Sequence, residues 1–298
     1  MSPHQKGLLL TGIGGFVLTF DIPVLRLAAA DIWTVQFVRS GLGIGVALLV
    51  WGIAGLWRKR AITFLPGRTG IIVAALYGCS AVLFIGAVFN TAAANVVFIL
   101  AFNSMFAALL GWLALGERPH RVTLATMAVM MAAVTLIVGD GLRTGNYLGD
   151  LMALAAAFLI AIAITITRKS GRDMGFAPMA GGVIPASIAA VMLAAGDAGQ
   201  LTVEAPWWLI LNGAILIPVS FWLLATGPKY ISGPEVAMFY LLETVLAPVW
   251  IWLIFGETPT AATLTGGAIL VTALAAHSAW QFARQRGRQA EAVRSAAS

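Results

Sequence analysis

The sequence WLALGERPHRVTLATMA at residues 112–128 recurs 140 positions later as WLIFGETPTAATLTGGA at residues 252–268. The two copies are identical at eight of 17 positions, and a tryptophan, a glutamate and a proline are among the shared residues. Each copy begins near the end of one apolar stretch, crosses a short polar linker and enters another apolar stretch. The chain therefore contains an internal duplication whose unit is longer than a single helix.

Apolar stretches of similar length continue in both directions from these two copies. A bilayer core of about 30 Å needs a helix of about 20 residues, in which every backbone amide is satisfied internally. The composition agrees, with 60% hydrophobic and only 10% charged residues among 298 and a mean hydropathy of +0.93. We predict an all-α integral membrane protein. Its ten transmembrane helices are expected at 7–28, 33–56, 69–88, 92–114, 122–139, 147–167, 176–195, 207–226, 235–255 and 260–281.

The shift of 140 residues places predicted helices 4 and 5 on helices 9 and 10, which divides the chain into two halves of five helices. Because five is odd, the second half must cross the membrane in the opposite orientation to the first. We predict a first repeat at 1–145, a second, inverted repeat at 146–283 and a basic cytoplasmic tail at 284–298. Such halves can exchange conformations, which favours transport by alternating access.

Positive charge alternates between successive linkers. Of the 18 lysine and arginine residues, 15 fall on the side of the N terminus, Arg143 falls on the opposite side, and Arg26 and Arg39 fall within predicted helices. The positive-inside rule then places both termini in the cytoplasm, with the chain in a bacterial inner membrane. Since the cations lie in linkers and tails, the net charge of +6 does not indicate a nucleic-acid partner.

The duplicated linkers carry a family resemblance. Leu-Gly-Glu-Arg-Pro at 115–119 and Phe-Gly-Glu-Thr-Pro at 255–259, each between two apolar helices, resemble the paired motifs of the drug/metabolite transporter superfamily in its ten-helix EamA-type branch. Within this branch, the length and the glycine-rich first helix resemble the bacterial exporters of aromatic amino acids. The resemblance implies a central cavity lined by helices of both halves, a small-molecule substrate and a lipid surrounding.

We therefore predict export of aromatic and other neutral amino acids, and of similar small amphipathic metabolites, by a monomer or weak dimer. One alternative is a proton-coupled exporter of drugs or organic cations. Small four-helix relatives use a glutamate near the middle of helix 1 for this purpose, whereas this chain has Gly15-Phe16-Val17-Leu18 there and Asp21 a turn further out. A channel or a membrane scaffold is the alternative from another class.

Groups that would support an enzyme are not found in the sequence. His4, His120 and His277 lie in a tail, a linker and the last predicted helix, with no cysteine or carboxylate at metal-ligand spacing. We expect no catalytic residue, no metal and no cofactor.

Two polar positions at mid-membrane are related by the repeat. Glu243 lies about eight residues into predicted helix 9, and the position equivalent to it is Asn103 in the middle of predicted helix 4. Ionisable groups at membrane depth are costly and therefore have a partner or a function. We expect both side chains to line the cavity, with Tyr240 one turn from Glu243, although a purely structural role for Glu243 stays open.

Asp21 and Arg39 form a second pair. Both lie about 10 Å below the end of the bundle opposite the N terminus, at 1.5 Å per residue, so they can form an ion pair between helices 1 and 2. A structural salt bridge and a gate, or a contact with a substrate carboxylate, are both compatible with this position. The predicted substrate-binding residues are Tyr77, Phe98, Asn103, Thr165, Trp222, Tyr240 and Glu243.

Overall fold

The computed structural model describes residues 3–58, 63–116, 118–172, 174–195, 203–226, 230–231 and 233–297. Ten helices account for most of this part of the chain, and it contains no β-strand. The helices are α1 (Pro3–Leu27), α2 (Ile32–Arg58), α3 (Gly67–Asn90), α4 (Ala93–Leu115), α5 (Arg121–Thr144), α6 (Tyr147–Ser170), α7 (Ala177–Ala194), α8 (206–226), α9 (Gly233–Phe255) and α10 (Ala261–Ala297).

The prediction of a multi-pass, all-helical membrane protein is confirmed. Nine of the described helices are long and apolar enough to cross a membrane, and α9 contains the shorter apolar segment Phe239–Phe255. The predicted boundaries agree to within a few residues except at the C terminus. There α10 continues to Ala297, because alanine, glutamine and arginine favour helix. The predicted basic tail is therefore helical over 284–297.

Several helices are interrupted, and two of the interruptions have an evident cause in proline. α1 consists of Pro3–Leu18 and Asp21–Leu27, and Pro23 lacks the N–H that would bond to the carbonyl of Thr19. α8 contains a π-helical segment, Leu211–Leu216, which leads into Pro218. α4 is interrupted at 101–102 and α7 at 181–182.

The two copies of the duplicated motif end their helices in the same way. Gly116 follows α4 with φ +71° and Gly256 follows α9 with φ +66°. Each donates its N–H to the carbonyl of the motif tryptophan, Trp112 or Trp252. This left-handed conformation is costly for residues with a Cβ, so glycine is required at both positions.

The helices pack in pairs that recur five helices apart. α3 packs on α6 and α1 on α8, while α4 packs on α6 and α1 on α9. α2 packs on α7, and α5 on α10. The linkers that follow α1, α3, α7 and α9 meet, together with the C-terminal end of α5, at one end of the bundle, which we call the far end. The N terminus lies at the near end.

The largest buried core lies in the far half of the bundle. Its members come from the far-end halves of eight helices, and they include Ile22, Leu25, Val35, Val88, Ile99, Ile137, Leu209 and Ile251. Large apolar side chains such as Leu49, Leu56 and Leu113 are 63–80% exposed on the outside. Outward-facing apolar side chains are expected where the solvent is lipid.

Candidate substrate site

An ion pair connects the short second segment of α1 to α2. Arg39 donates from Nη2 to both carboxylate oxygens of Asp21, at 2.8 and 3.1 Å. The two side chains are only 15% and 7% exposed. The guanidinium lies over the ring of Phe84 on α3, at 5.2 Å from its centroid. Nη1 and Nε of Arg39 make no hydrogen bond to a described residue.

A residue that is not among the predicted site residues also binds Asp21. Asn212, which is fully buried on α8, donates from Nδ2 to Asp21 Oδ1 at 2.7 Å and to the Asp21 carbonyl at 3.1 Å. It lies in the π-helical segment of α8, and such segments are frequent at functional sites. A buried asparagine in an apolar helix was the available signal. The carbonyl oxygen of its side chain accepts no hydrogen bond from any residue that the structure describes.

Glu243 on α9 lies within electrostatic range of both members of the ion pair. Tyr240, one turn earlier, interacts in the same way with Glu243 and with Tyr77 on α3. Five predicted site residues are therefore connected by an ion pair or by electrostatic interactions, and one of them, Tyr240, is 41% exposed. We call them, together with Phe84 and Asn212, the central cluster: Asp21, Arg39, Tyr77, Phe84, Asn212, Tyr240 and Glu243. It contains two carboxylates and one guanidinium.

The other four predicted binding residues lie elsewhere in the structure. Phe98 is buried in the core, where its ring abuts Gly267 of α10. Thr165 is buried and donates to the carbonyl of Ala161 in its own helix. Trp222 is 62% exposed, and Asn103 is partly buried beside the interruption of α4. Within the described part of the chain, none of the four has a hydrogen bond, ion pair or ring contact with the central cluster.

A second group of polar contacts lies at the far end. Arg26 on α1 forms an ion pair with Glu257 of the α9–α10 linker. Beside it is a cavity of about 360 Å³. The cavity is lined by Leu25, Arg26, Ala29, Ala30, Val88, Phe89 and Phe255. Nothing in the sequence predicts this ion pair, whose members are separated by 231 residues. No three His, Cys, Asp or Glu residues in the described ranges are grouped as a metal site.

Residues 147–278, from the start of α6 into α10, match the model of the EamA-like transporter family. The chain carries an EamA domain. Members of this family are transporters rather than enzymes, and their surroundings are membrane lipid. The predicted resemblance to the superfamily is confirmed by this EamA domain. The resemblance to exporters of aromatic amino acids stays a prediction.

Similar proteins extend the comparison beyond the EamA domain. The pseudopaline exporter CntI of Pseudomonas aeruginosa is 23% identical over 278 residues, which are 92% of this chain and 96% of that protein. The UPF0060 membrane protein Mpe_A1656 of Methylibium petroleiphilum is 34% identical over 68 residues, 23% of this chain and 60% of that protein. A crystal structure that is 15% identical covers 91% of this chain and 96% of its own, with a TM-score of 0.63. That similarity concerns the fold alone.

Proposed function

We propose that this EamA-domain protein exports small amphipathic molecules across a bacterial inner membrane, as a monomer or weak dimer with both termini in the cytoplasm. Aromatic and other neutral amino acids are the proposed substrate class. The EamA domain and the similarity to an exporter over nearly the whole chain support transport and its direction. The charges and aromatic side chains of the central cluster support the substrate class.

The composition of the central cluster carries this proposal. Its two carboxylates and one guanidinium leave one carboxylate without a cation, and Asp21 is the one that binds Arg39. Ionisation of Glu243 is expensive at membrane depth without a cation, so a cationic group beside it stabilises the carboxylate form. The ammonium group of an amino acid supplies that cation.

The carboxylate and the apolar side chain of an amino acid also match groups of the central cluster. Nη1 and Nε of Arg39 donate to no described residue, and guanidinium groups bind carboxylates through parallel hydrogen bonds. Phe84, Tyr77 and Tyr240 offer aromatic surface for an apolar side chain. A zwitterion with an apolar side chain therefore matches the charges and the walls of the cluster.

The internal duplication supports alternating access. The recurrence of helix pairs five helices apart, and the equal ends of α4 and α9, are what two halves related by an in-plane axis would produce. In that arrangement Asn103 and Glu243 occupy equivalent points of the two halves. We propose that Asn103 enters the cavity in another conformation of the transport cycle.

The test of substrate class is a counterflow assay. Purified protein is reconstituted into liposomes loaded with unlabelled tryptophan, phenylalanine, leucine or a quaternary ammonium compound, and uptake of labelled tryptophan is followed. Amino acids inside are expected to drive uptake that saturates with concentration. Counterflow of a labelled quaternary ammonium compound, with no uptake of labelled tryptophan, favours the second candidate, a proton-coupled cation exporter, for which the spare carboxylate of Glu243 also provides a site. Flux that does not saturate favours a channel.

The proposed orientation has its own test. In a Cys79→Ala background, Arg143→Cys at the far end is expected to react in intact cells with a maleimide that cannot cross membranes. Arg60→Cys, in a near-end linker outside the described residues, is expected to react only after the cells are permeabilised. The reverse pattern would place the termini outside. The mutation of Cys79 is needed because this cysteine is exposed on α3.

A further inference from the structure

The ion pair at the far end joins three corners of the bundle. Glu257 accepts from Arg26 through Oε2 and from the N–H of Ala93, the first residue of α4, through Oε1. Arg26 also donates from Nη2 to the carbonyls of Val88 and Thr91, at 3.3 and 3.4 Å. One guanidinium therefore connects the end of α1 to the α3–α4 corner and to the α9–α10 linker.

Arg26 and Glu257 also bind backbone groups at the ends of helices, and these helix ends strengthen the contact. The last carbonyls of α3 have no partner within the helix and carry its negative dipole end, so they attract a cation. The first N–H groups of α4 attract a carboxylate for the converse reason. The side chains of Arg26 and Glu257 are 24% and 28% exposed, so water screens the pair only in part.

The acceptors of Arg26 belong to a connected block. Thr91 and Asn95 both donate to Asp150 Oδ1 on α6, at 2.7 and 3.0 Å. Thr263 of α10 donates to Asn95 Oδ1 at 2.7 Å. These buried bonds fasten α3, α4, α6 and α10 to one another at the far end. Arg26 provides polar contacts between α1 and that block, in addition to the apolar packing of Ile22 and Leu25 in the far-half core.

The part of α1 that bears Arg26 is a separate segment of seven residues. We call Asp21–Leu27 the gate segment; it is divided from the rest of α1 at Thr19 and Phe20. Trp250 of α9 donates to Thr19 Oγ1 at 2.9 Å and stacks on Phe20, which fixes the position of this break. A short rigid helix beyond a fixed break can tilt as a unit.

The gate segment connects the substrate site to the far end. Asp21, at its first turn, belongs to the central cluster, and Arg26 is about 7.5 Å further along the axis at 1.5 Å per residue. A change in the contacts of Asp21 therefore acts on the helix that carries Arg26. Leu25, in the same segment, is 2% exposed in the far-half core, so a tilt of the segment opens that core.

We propose that the gate segment is the far-side gate, that the Arg26–Glu257 pair latches it in the closed state, and that Asp21 couples it to the central cluster. The proposal rests on the alternating-access function given above. Release of Arg26 from the block formed by α3, α4, α6 and α10 is then the step that opens the substrate path to the far side.

Accessibility of a buried reporter tests the latch without any substrate. In the Cys79→Ala background, Val35→Cys places a thiol at a fully buried position of α2 in the far-half core. Its labelling from the far side by an impermeant maleimide is slow if the gate is closed. Arg26→Gln and Glu257→Gln are each expected to raise the labelling rate about three- to tenfold, because either change removes the ion pair and shifts the population toward the open state.

The double variant and two controls make the result specific. Arg26→Gln with Glu257→Gln should give the rate of the single variants rather than their product, since both changes break one bond. Glu117→Gln, the equivalent change in the other motif copy and outside the described residues, should not raise the rate. Arg143→Gln, which removes an exposed far-end cation, should leave it unchanged. A monodisperse elution profile is required of every variant.

The coupling to the central cluster is tested by Asp21→Asn. Asp21 makes no hydrogen bond or ion pair with Arg26 or Glu257 among the described residues, yet this change should also raise Val35→Cys labelling because it loosens the same segment. Unchanged labelling in Arg26→Gln and Glu257→Gln, or in Asp21→Asn, would overturn the proposal. Failure of the proposed function is separate: labelling that rises as expected, in a protein that transports none of the amino acids tested, would leave the gate in place and remove the substrate class.

Discussion

Glu243→Gln is expected to reduce amino acid uptake into proteoliposomes by about ten- to a hundredfold while the protein stays folded. The change removes the carboxylate that pairs with the substrate ammonium and keeps the size of the side chain. A hydrogen bond to a charged group contributes about 1.5–3 kcal/mol, which corresponds to this range of binding constants. The measurement is counterflow of labelled tryptophan at concentrations below saturation.

Two comparisons separate a binding role from a general loss of charge. Glu204→Gln removes an exposed carboxylate at the far end and should not change uptake. Asn103→Ala should reduce uptake more mildly than Glu243→Gln, because it removes a neutral hydrogen-bonding group. If Glu243→Gln transports at the normal rate with the normal substrate preference, Glu243 has a structural role and the proposed site loses its cation-binding group.

The helices were predictable because a bilayer imposes length and apolarity on every span. The depth of Asp21 and Arg39 was also predictable, since both helices rise by a constant amount per residue. The rotation of each helix about its own axis was not predictable. Phe98 and Trp222 lie in helices that are apolar nearly all round, and such a sequence does not indicate which face is inward. The core position of Phe98 and the exposure of Trp222 follow from packing between helices.

The position of Asn212 depends on a local departure from α-helical geometry. The π-helical segment inserts an extra residue per turn, so the angular position of every later residue in α8 differs from that of a regular helix. Pro218 explains where the regular hydrogen bonds fail, but not which form the helix takes instead. The contact of Asn212 with Asp21 could therefore not be predicted from the sequence.

The Arg26–Glu257 pair was not predictable because its two members are far apart in the sequence. Arg26 lies inside a predicted helix and Glu257 inside the second copy of the duplicated linker motif, 231 residues apart. The duplicated motif indicates features that its two copies share, and this ion pair is not such a feature. Arg26 has no cationic counterpart at position 166, where the second half has isoleucine. The far-end pair is therefore a feature of one half only.

The effect on stability of neutralising the ion pair depends on a third charge. Arg39→Gln leaves Asp21 and Glu243 as two carboxylates without a cation, whereas Asp21→Asn leaves Arg39 with Glu243 as a counter-ion. Removal of one member of a buried pair costs about 3–5 kcal/mol when the other stays uncompensated. We expect Arg39→Gln to approach that loss and Asp21→Asn to fall well short of it.

The double variants decide whether charge is the cause. Adding Asp21→Asn to Arg39→Gln should recover part of the lost stability, because one of the two uncompensated carboxylates is removed. Adding Glu243→Gln to Arg39→Gln should recover a similar part for the same reason. Thermal unfolding in detergent, followed by the monodisperse fraction on size exclusion, measures the stability of the three single variants and the two double variants. Strictly additive losses, with each double variant less stable than Arg39→Gln, would mean that these three side chains do not share a charge balance.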